Sequence, residues 1–179
     1  MARRRNLALL IVLGCAACGT PQTDPQKGQF LSARRESAID VDARAFALDV
    51  ARDVTALGPA AWRKHFSESP AFFMAADGNL QFPDSASATA GIEALTKTIR
   101  HIDLTWRDDL RVDALGPNIA LIASPYHEII VTNSGARIDS TGFFTGVAEF
   151  RDGRWRFRNA HWSSARQPPP VTKGASLPR

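Results

Sequence analysis

Gly142-Phe143-Phe144-Thr145-Gly146-Val147-Ala148-Glu149-Phe150 leads through Arg151-Asp152-Gly153-Arg154 into Trp155-Arg156-Phe157-Arg158-Asn159-Ala160-His161-Trp162. Two alternating runs joined by Asp-Gly read as an antiparallel hairpin closed by a two-residue turn. That turn fixes a register. Phe150 falls opposite Trp155, Ala148 opposite Phe157, Gly146 opposite Asn159 and Phe144 opposite His161. One face then carries Phe150, Ala148, Gly146 and Phe144 with Trp155, Phe157, Asn159 and His161. It is apolar at the turn and polar further along, with glycines leaving room, which suits a core opening into a cavity. The other face carries Phe143, Thr145 and Val147 with Arg154, Arg156, Arg158 and Trp162. A bulge would exchange the two faces beyond it.

Upstream, the same period of two runs back to position 104. Ile119 to Val131 is a long strand between the turns Gly116-Pro117-Asn118 and Asn133-Ser134-Gly135. Pro125 within it predicts a bulge or an edge, because it has no N–H to give a ladder. Before it, Leu104, Trp106, Leu110 and Val112 alternate with polar residues as one strand. Earlier still the period is helical. Ile39, Ala43, Phe46, Val50, Val54 and Leu57 recur at threes and fours. Gly58-Pro59 ends that helix and opens a short one to Phe66. Asp77-Gly78 closes an early hairpin between Phe72–Ala76 and Asn79–Phe82. A third helix is expected from Ala90 to His101. The class is α+β, three N-terminal helices covering one face of a curved antiparallel sheet.

The first residues describe an address. Arg3, Arg4 and Arg5 precede an apolar stretch too short to span a bilayer, the pattern of an export signal over residues 1–18. They carry three of the four net positive charges, so the chain behind them is close to neutral and gives nucleic-acid binding no support. Val12-Leu13-Gly14-Cys15 resembles a bacterial lipobox, whose cysteine is lipidated. Cys18 is the alternative site, and plain cleavage near Ala17 a third possibility. These are the only two cysteines, so the folded part has no internal disulfide, cysteine-ligated metal or thiol nucleophile. Residues 19–37 read as a flexible tether, 38–166 as the domain and 167–179 as a disordered tail. The expected place is the cell envelope, with membrane contact through the lipid alone.

The order helix, helix, hairpin, helix and long strands resembles the nuclear transport factor 2-like superfamily, which includes ketosteroid isomerase, scytalone dehydratase and SnoaL-type cyclases. The matching pieces are Asp77-Gly78, Gly91-Ile92-Glu93-Ala94-Leu95 and Asp152-Gly153-Arg154-Trp155-Arg156-Phe157. The resemblance implies a cone whose helices and concave sheet enclose a small pocket, and a homodimer through the convex sheet face, here Phe143, Val147 and Trp162. Some relatives carry two histidines in the last strand; here the first of those positions is Asn159, and His161 stands alone.

Several polar groups are candidates for chemistry. Asp108 shares the alternation of Leu104 and Trp106. A carboxylate there has a raised pKa and serves as general acid or base, unless Asp108-Asp109 is a solvated irregularity. His161 is either an acid/base group or a hydrogen-bonded core histidine. Tyr126 and Glu128 share a strand face if the Pro125 bulge precedes them, and would bind a polar substituent, or form a bond at the rim. Trp106, Phe144 and Asn159 complete the expected binding wall. Neither a phosphate loop, a nucleophile elbow nor a metal-ligand spacing of histidines and acids is present, so neither metal nor cofactor is expected. The leading expectation is a lipid-anchored binder of a small apolar molecule. The alternatives are an isomerase, dehydratase or cyclase using Asp108 or His161, and a dimeric interaction module without a ligand.

Overall fold

The computed structural model describes residues 31–165; the lipobox, most of the tether and the tail lie outside them. The first helix, α1 (Ala33–Leu57), starts earlier than its apolar pattern suggests. Ser32 caps it by accepting the Arg35 N–H, and Leu31 packs on the core, so residues 33–37 are helix and not tether. Ile39, Ala43, Phe46, Val50 and Val54 form the buried stripe. Leu57 does not: at the helix end it is 67% exposed. Gly58 follows at φ 70°, the left-handed conformation that lets the chain turn without a Cβ clash. A 3₁₀ turn (Gly58–Ala61) and one helical turn, α2 (Trp62–His65), take the place of the second helix.

Both Asp-Gly turns form as expected. Asp77 and Gly78, like Asp152 and Gly153, take positive φ, the type I′ geometry that matches strand twist. The first joins β1 (Phe73–Ala76) to β2 (Asn79–Phe82), the second β6 (Arg137–Arg151) to β7 (Arg154–Ser164). Between them lies α3 (Ser85–Thr98), which begins before Ala90. Asp84 accepts the Ser87 N–H while the Ser87 hydroxyl accepts the Asp84 N–H. This reciprocal cap nucleates the helix ahead of its first buried apolar residue. Its expected last turn is instead the start of β3 (Ile99–Trp106).

One sheet carries all strands, in the order β2-β1-β7-β6-β5-β3, with β4 (Arg111–Gly116) also on β5 (Ile119–Thr132). The single strand expected over 104–113 is thus two. A turn at 107–110 parts them, so β4 pairs with the first half of β5 and β3 with the second. Pro125 sits opposite this break. Its pairing with β6 is unbroken, so there is no bulge. Its carbonyl accepts from Arg107 on the side of the gap, the side its missing N–H also faces. Position 125 is locally an edge, which is where a proline is tolerated.

The concave face packs on α1. Ile102, Leu104, Ile122, Phe144 and Phe157 meet Phe46, Val50 and Val54 in the core. Trp106 donates its indole N–H to the Ala47 carbonyl at 2.6 Å. Asp53 is also buried. It accepts from Lys64 at 2.6 Å and lies 3.1 Å from the buried His65 Nε2, binding α2 to α1.

The last hairpin corrects the expected faces. Ala148 pairs with Phe157 as anticipated, but Val147 pairs with Asn159, leaving Arg158 as an extra residue. Beyond this bulge the alternation of β7 reverses. Thr145 faces His161, and Phe144 faces Trp162. His161 is exposed, while Ala160 is buried and Trp162 half-buried.

Candidate functional site: an apolar cavity under the third helix

The residues Trp62 and Phe66 at α2, the helix α3, the first hairpin and the rest of the sheet line a cavity of about 550 Å³. The inner residues of α3, Ile92 and Leu95, form its roof. The first hairpin supplies Met74, Gln81 and Phe82, and the sheet supplies the floor. Gly91 lets hairpin and helix meet, since a Cβ there would lie 2.2 Å from the Phe82 ring. The size suits one small organic molecule, and the lining is the usual mixture of apolar walls with few polar groups.

Trp162 is the centre of the floor. Its ring lies 4.8 Å from Tyr126 and 5.7 Å from Trp62, edge-on to both. Below it lie Phe144 at 4.7 Å and Trp106 at 5.8 Å. The bulge at Arg158 is what brings this tryptophan inward. Tyr126 crosses directly over Gly142, its pairing partner on β6. A Cβ at Gly142 would lie 2.8 Å from the tyrosine hydroxyl. Burial pushes the phenol pKa up, while a hydrogen bond with Ser164 acts the other way.

Glu128 projects into this space from β5, two residues beyond Tyr126 and opposite Ser140. Burial pushes its carboxyl up to about 7. A carboxylate loses its water there and gains no compensating charge, so the neutral form persists to higher pH. At the rim, Asp77 accepts the Ser164 N–H at 2.6 Å and the Ser164 hydroxyl at 2.9 Å. Those bonds, the backbone one foremost, hold Asp77 below the usual carboxylate range. The cavity therefore has one carboxyl that takes a proton near neutrality and one that stays ionised.

Of the expected binding residues, Tyr126 and Glu128 meet in this cavity. Trp106 and Phe144 support its floor from beneath. Asn159 and His161 stand on the opposite face of β7, turned there by the bulge. Asp108 is exposed in the turn between β3 and β4, because the strand ends at Trp106 and the alternation carries no further. It is the solvated irregularity, not a carboxylate on the apolar face. Trp162 leaves the predicted dimer face for the same reason that His161 leaves the cavity. Trp62 and Phe82, read from the sequence as core or pocket wall, line the cavity; sequence reasoning missed Trp162 as wall, and Asp77 and Ser164 as rim. The available signal was Asn159, a residue fit to stabilise a bulge. Among the described residues no cluster of three or more His, Cys, Asp or Glu could hold a metal, and no helix is long and apolar enough to cross a membrane.

No family model matches the chain, and no curated protein matches it in sequence. Solved structures do. A nuclear transport factor 2-like superfamily protein from Salmonella enterica aligns at TM-score 0.63 and 17% identity, over 78% of this chain and 99% of that one. A scytalone dehydratase-like protein from Novosphingobium aromaticivorans aligns at 0.60 and 14%, over 70% and 83%. A hexachlorocyclohexane dehydrochlorinase aligns at 0.56 and 13%, over 73% and 97%. At such identities the likeness speaks for the fold alone.

Proposed function

The nuclear transport factor 2-like fold of this chain is the premise from which its function is read, and we propose that it binds a small apolar molecule in the cavity under α3. The observation that carries this reading is the aromatic and aliphatic enclosure around one partly hidden carboxyl, Glu128. Apolar walls supply the affinity, and Glu128 with Tyr126 fixes the orientation of one polar substituent. The fluorescent probe N-phenyl-1-naphthylamine tests it. The probe should brighten on binding the wild type. Ser140→Phe, which fills the space opposite Glu128, should abolish that response while leaving thermal unfolding cooperative. Equal brightening in both proteins would contradict the reading.

The same proposal includes anchoring at the cell envelope through Cys15, or Cys18, in residues 1–30. Labelled palmitate should enter the full chain and be lost with Cys15→Ala. Loss only with Cys18→Ala would move the site.

A second reading, an isomerase, has one observation in its favour. A carboxyl poised near 7 in an apolar site is suited to move a proton to and from carbon. Glu128 would take the role expected of Asp108 or His161, neither of which lines the cavity. In such a step the carboxylate removes a proton from carbon α to a carbonyl, and the resulting enolate regains it at the γ-carbon. Conversion of a β,γ-unsaturated ketone to its conjugated isomer, followed by ultraviolet absorbance and lost in Glu128→Gln, would establish it. A rate unchanged in that variant would reject it.

A further inference from the structure

The charges around the cavity narrow what it holds. Two carboxyl groups belong to its lining, Glu128 within and Asp77 at the rim, and among the described residues no lysine, arginine or histidine does. The cations nearest along α2 and α3 are engaged elsewhere. Arg63 and Lys97 both turn to Glu93, at 3.8 and 3.5 Å. The Tyr126 phenol feels the negative field of both Glu128 and Asp77, so the two act on one region of the cavity. His161 acts on Asp77 at the rim, but no cation acts on Glu128, so an anionic ligand within would meet that carboxyl group with no countercharge and lose its hydration besides.

The aromatic walls favour the opposite sign. Trp62 and Tyr126 stand almost perpendicular to the Trp162 ring, at 87° and 79°. Trp62 stacks on Phe66 at 5.2 Å and Trp162 on Trp106 at 5.8 Å, and a π-face that such a pair turns to the cavity attracts an organic cation. An ammonium group at this place would have aromatic faces around it and carboxyl groups as counter-ions, while its carbon body lay against Leu95, Ile99 and Ile130.

We infer that the natural ligand is a small apolar amine or quaternary ammonium compound, its positive charge set between Glu128 and the aromatic walls of Trp62, Tyr126 and Trp162. This deepens the binding function proposed above and rests on it. Among the described residues the neutral polar side chains of the lining are Tyr126, Ser140, Ser164 and Gln81, and its charged groups are Glu128 and Asp77. Binding of a cation therefore draws the proton from Glu128. At pH 6.5, about one proton or less per ligand should be released, read as a dependence of calorimetric heat on buffer ionisation.

The test compares three probes of one skeleton by isothermal titration calorimetry at pH 7.5: 4-phenylbutylamine, 4-phenylbutan-1-ol and 4-phenylbutanoate. The amine should bind tightest, roughly tenfold or more above the alcohol, and the carboxylate weakest. Glu128→Gln should bring the amine down to the alcohol's affinity, and Trp62→Leu should weaken the amine more than the alcohol. The alcohol or carboxylate equalling the amine in the wild type overturns the cationic ligand and leaves the binding function standing. So does failure of the amine while N-phenyl-1-naphthylamine still binds. Failure of every probe, including that dye, overturns both.

Discussion

The Asn159 side chain accepts the Val147 N–H at 3.2 Å. The extra residue Arg158 breaks the ladder between β6 and β7 at this point, and the amide side chain supplies the acceptor the ladder no longer offers. The bulge so held turns Trp162 into the cavity and His161 out of it. Asn159→Ala leaves the half-buried N–H without this partner, at a cost of about 1 kcal/mol. Urea denaturation should show that loss and its recovery in Asn159→Asp, which keeps an acceptor. An alanine variant as stable as the wild type would mean that the bulge holds itself.

Glu128 makes stability depend on pH in a predictable sense. Its folded pKa stands at about 7, above the ordinary glutamate value of 4.5. The folded chain thus holds more protons than the unfolded one between these values, and stability declines as pH rises through that window. The full effect, an upper bound, is about 3 kcal/mol. Glu128→Gln removes it, so the variant should be the more stable protein at pH 8 and nearly equal at pH 4. Unfolding curves at those two pH values decide the matter; a wild type equally stable at both would show a solvated carboxylate.

Asp53 acts in the opposite direction. The hydrogen bond from Lys64 above all, with Arg52 adding to it, holds its carboxyl down to about 2, against the cost of burial. Burial meanwhile lowers the His65 pKa, so the His65–Asp53 contact is between a neutral ring and a carboxylate at pH 7. The stability from Asp53 is complete above about 4 and is lost as pH falls through about 2. Asp53→Asn should cost about 2 kcal/mol at pH 7, since the buried His65 and the exposed Lys64 and Arg52 lose a charged acceptor, and should weaken acid unfolding in that window. An unchanged acid limb would show that the cluster does not hold α2.

The outer sheet face should pair with a second copy of this chain. Phe73 and Phe143 are each 44% exposed there, with Val147 between β5 and β7 in the same surface, and contiguous exposed apolar surface of this kind marks an interface. Analytical ultracentrifugation at tens of micromolar is expected to give a dimer, and Phe143→Arg a monomer. A wild-type monomer would end the idea. Trp162 has no place in this contact, because it belongs to the cavity floor.

Much of this molecule is legible in local chemistry. The two Asp-Gly turns, the α1 stripe as far as Val54, and Gly58 each depend on residues within a few positions of one another, and each is where its pattern puts it. Tyr126 and Glu128 are expected on one face provided that a bulge at Pro125 precedes them; the strand has no bulge there, and both line the cavity. What escaped depended on one inserted residue or on a distant neighbour. Alternation carried past Trp106 leaves Asp108 open between an acid on the apolar face and a solvated irregularity, and the second holds because the strand breaks there beside Pro125. Alternation carried past Phe157 put His161 inside, whereas Arg158 is looped out. The parallel pairing of β1 with β7, which brings Asp77 to Ser164, leaves no local mark, because the two segments lie more than eighty residues apart in sequence.

The central claim is that the space between α3 and the sheet is a ligand site organised around Glu128. A crystal structure of the protein grown with 4-phenylbutan-1-ol tests it most directly. The account predicts density for the phenyl ring between Leu95 and Trp162, with the hydroxyl within hydrogen-bond reach of Glu128. Density only on the outer surface, with this cavity closed by its own side chains, would contradict it.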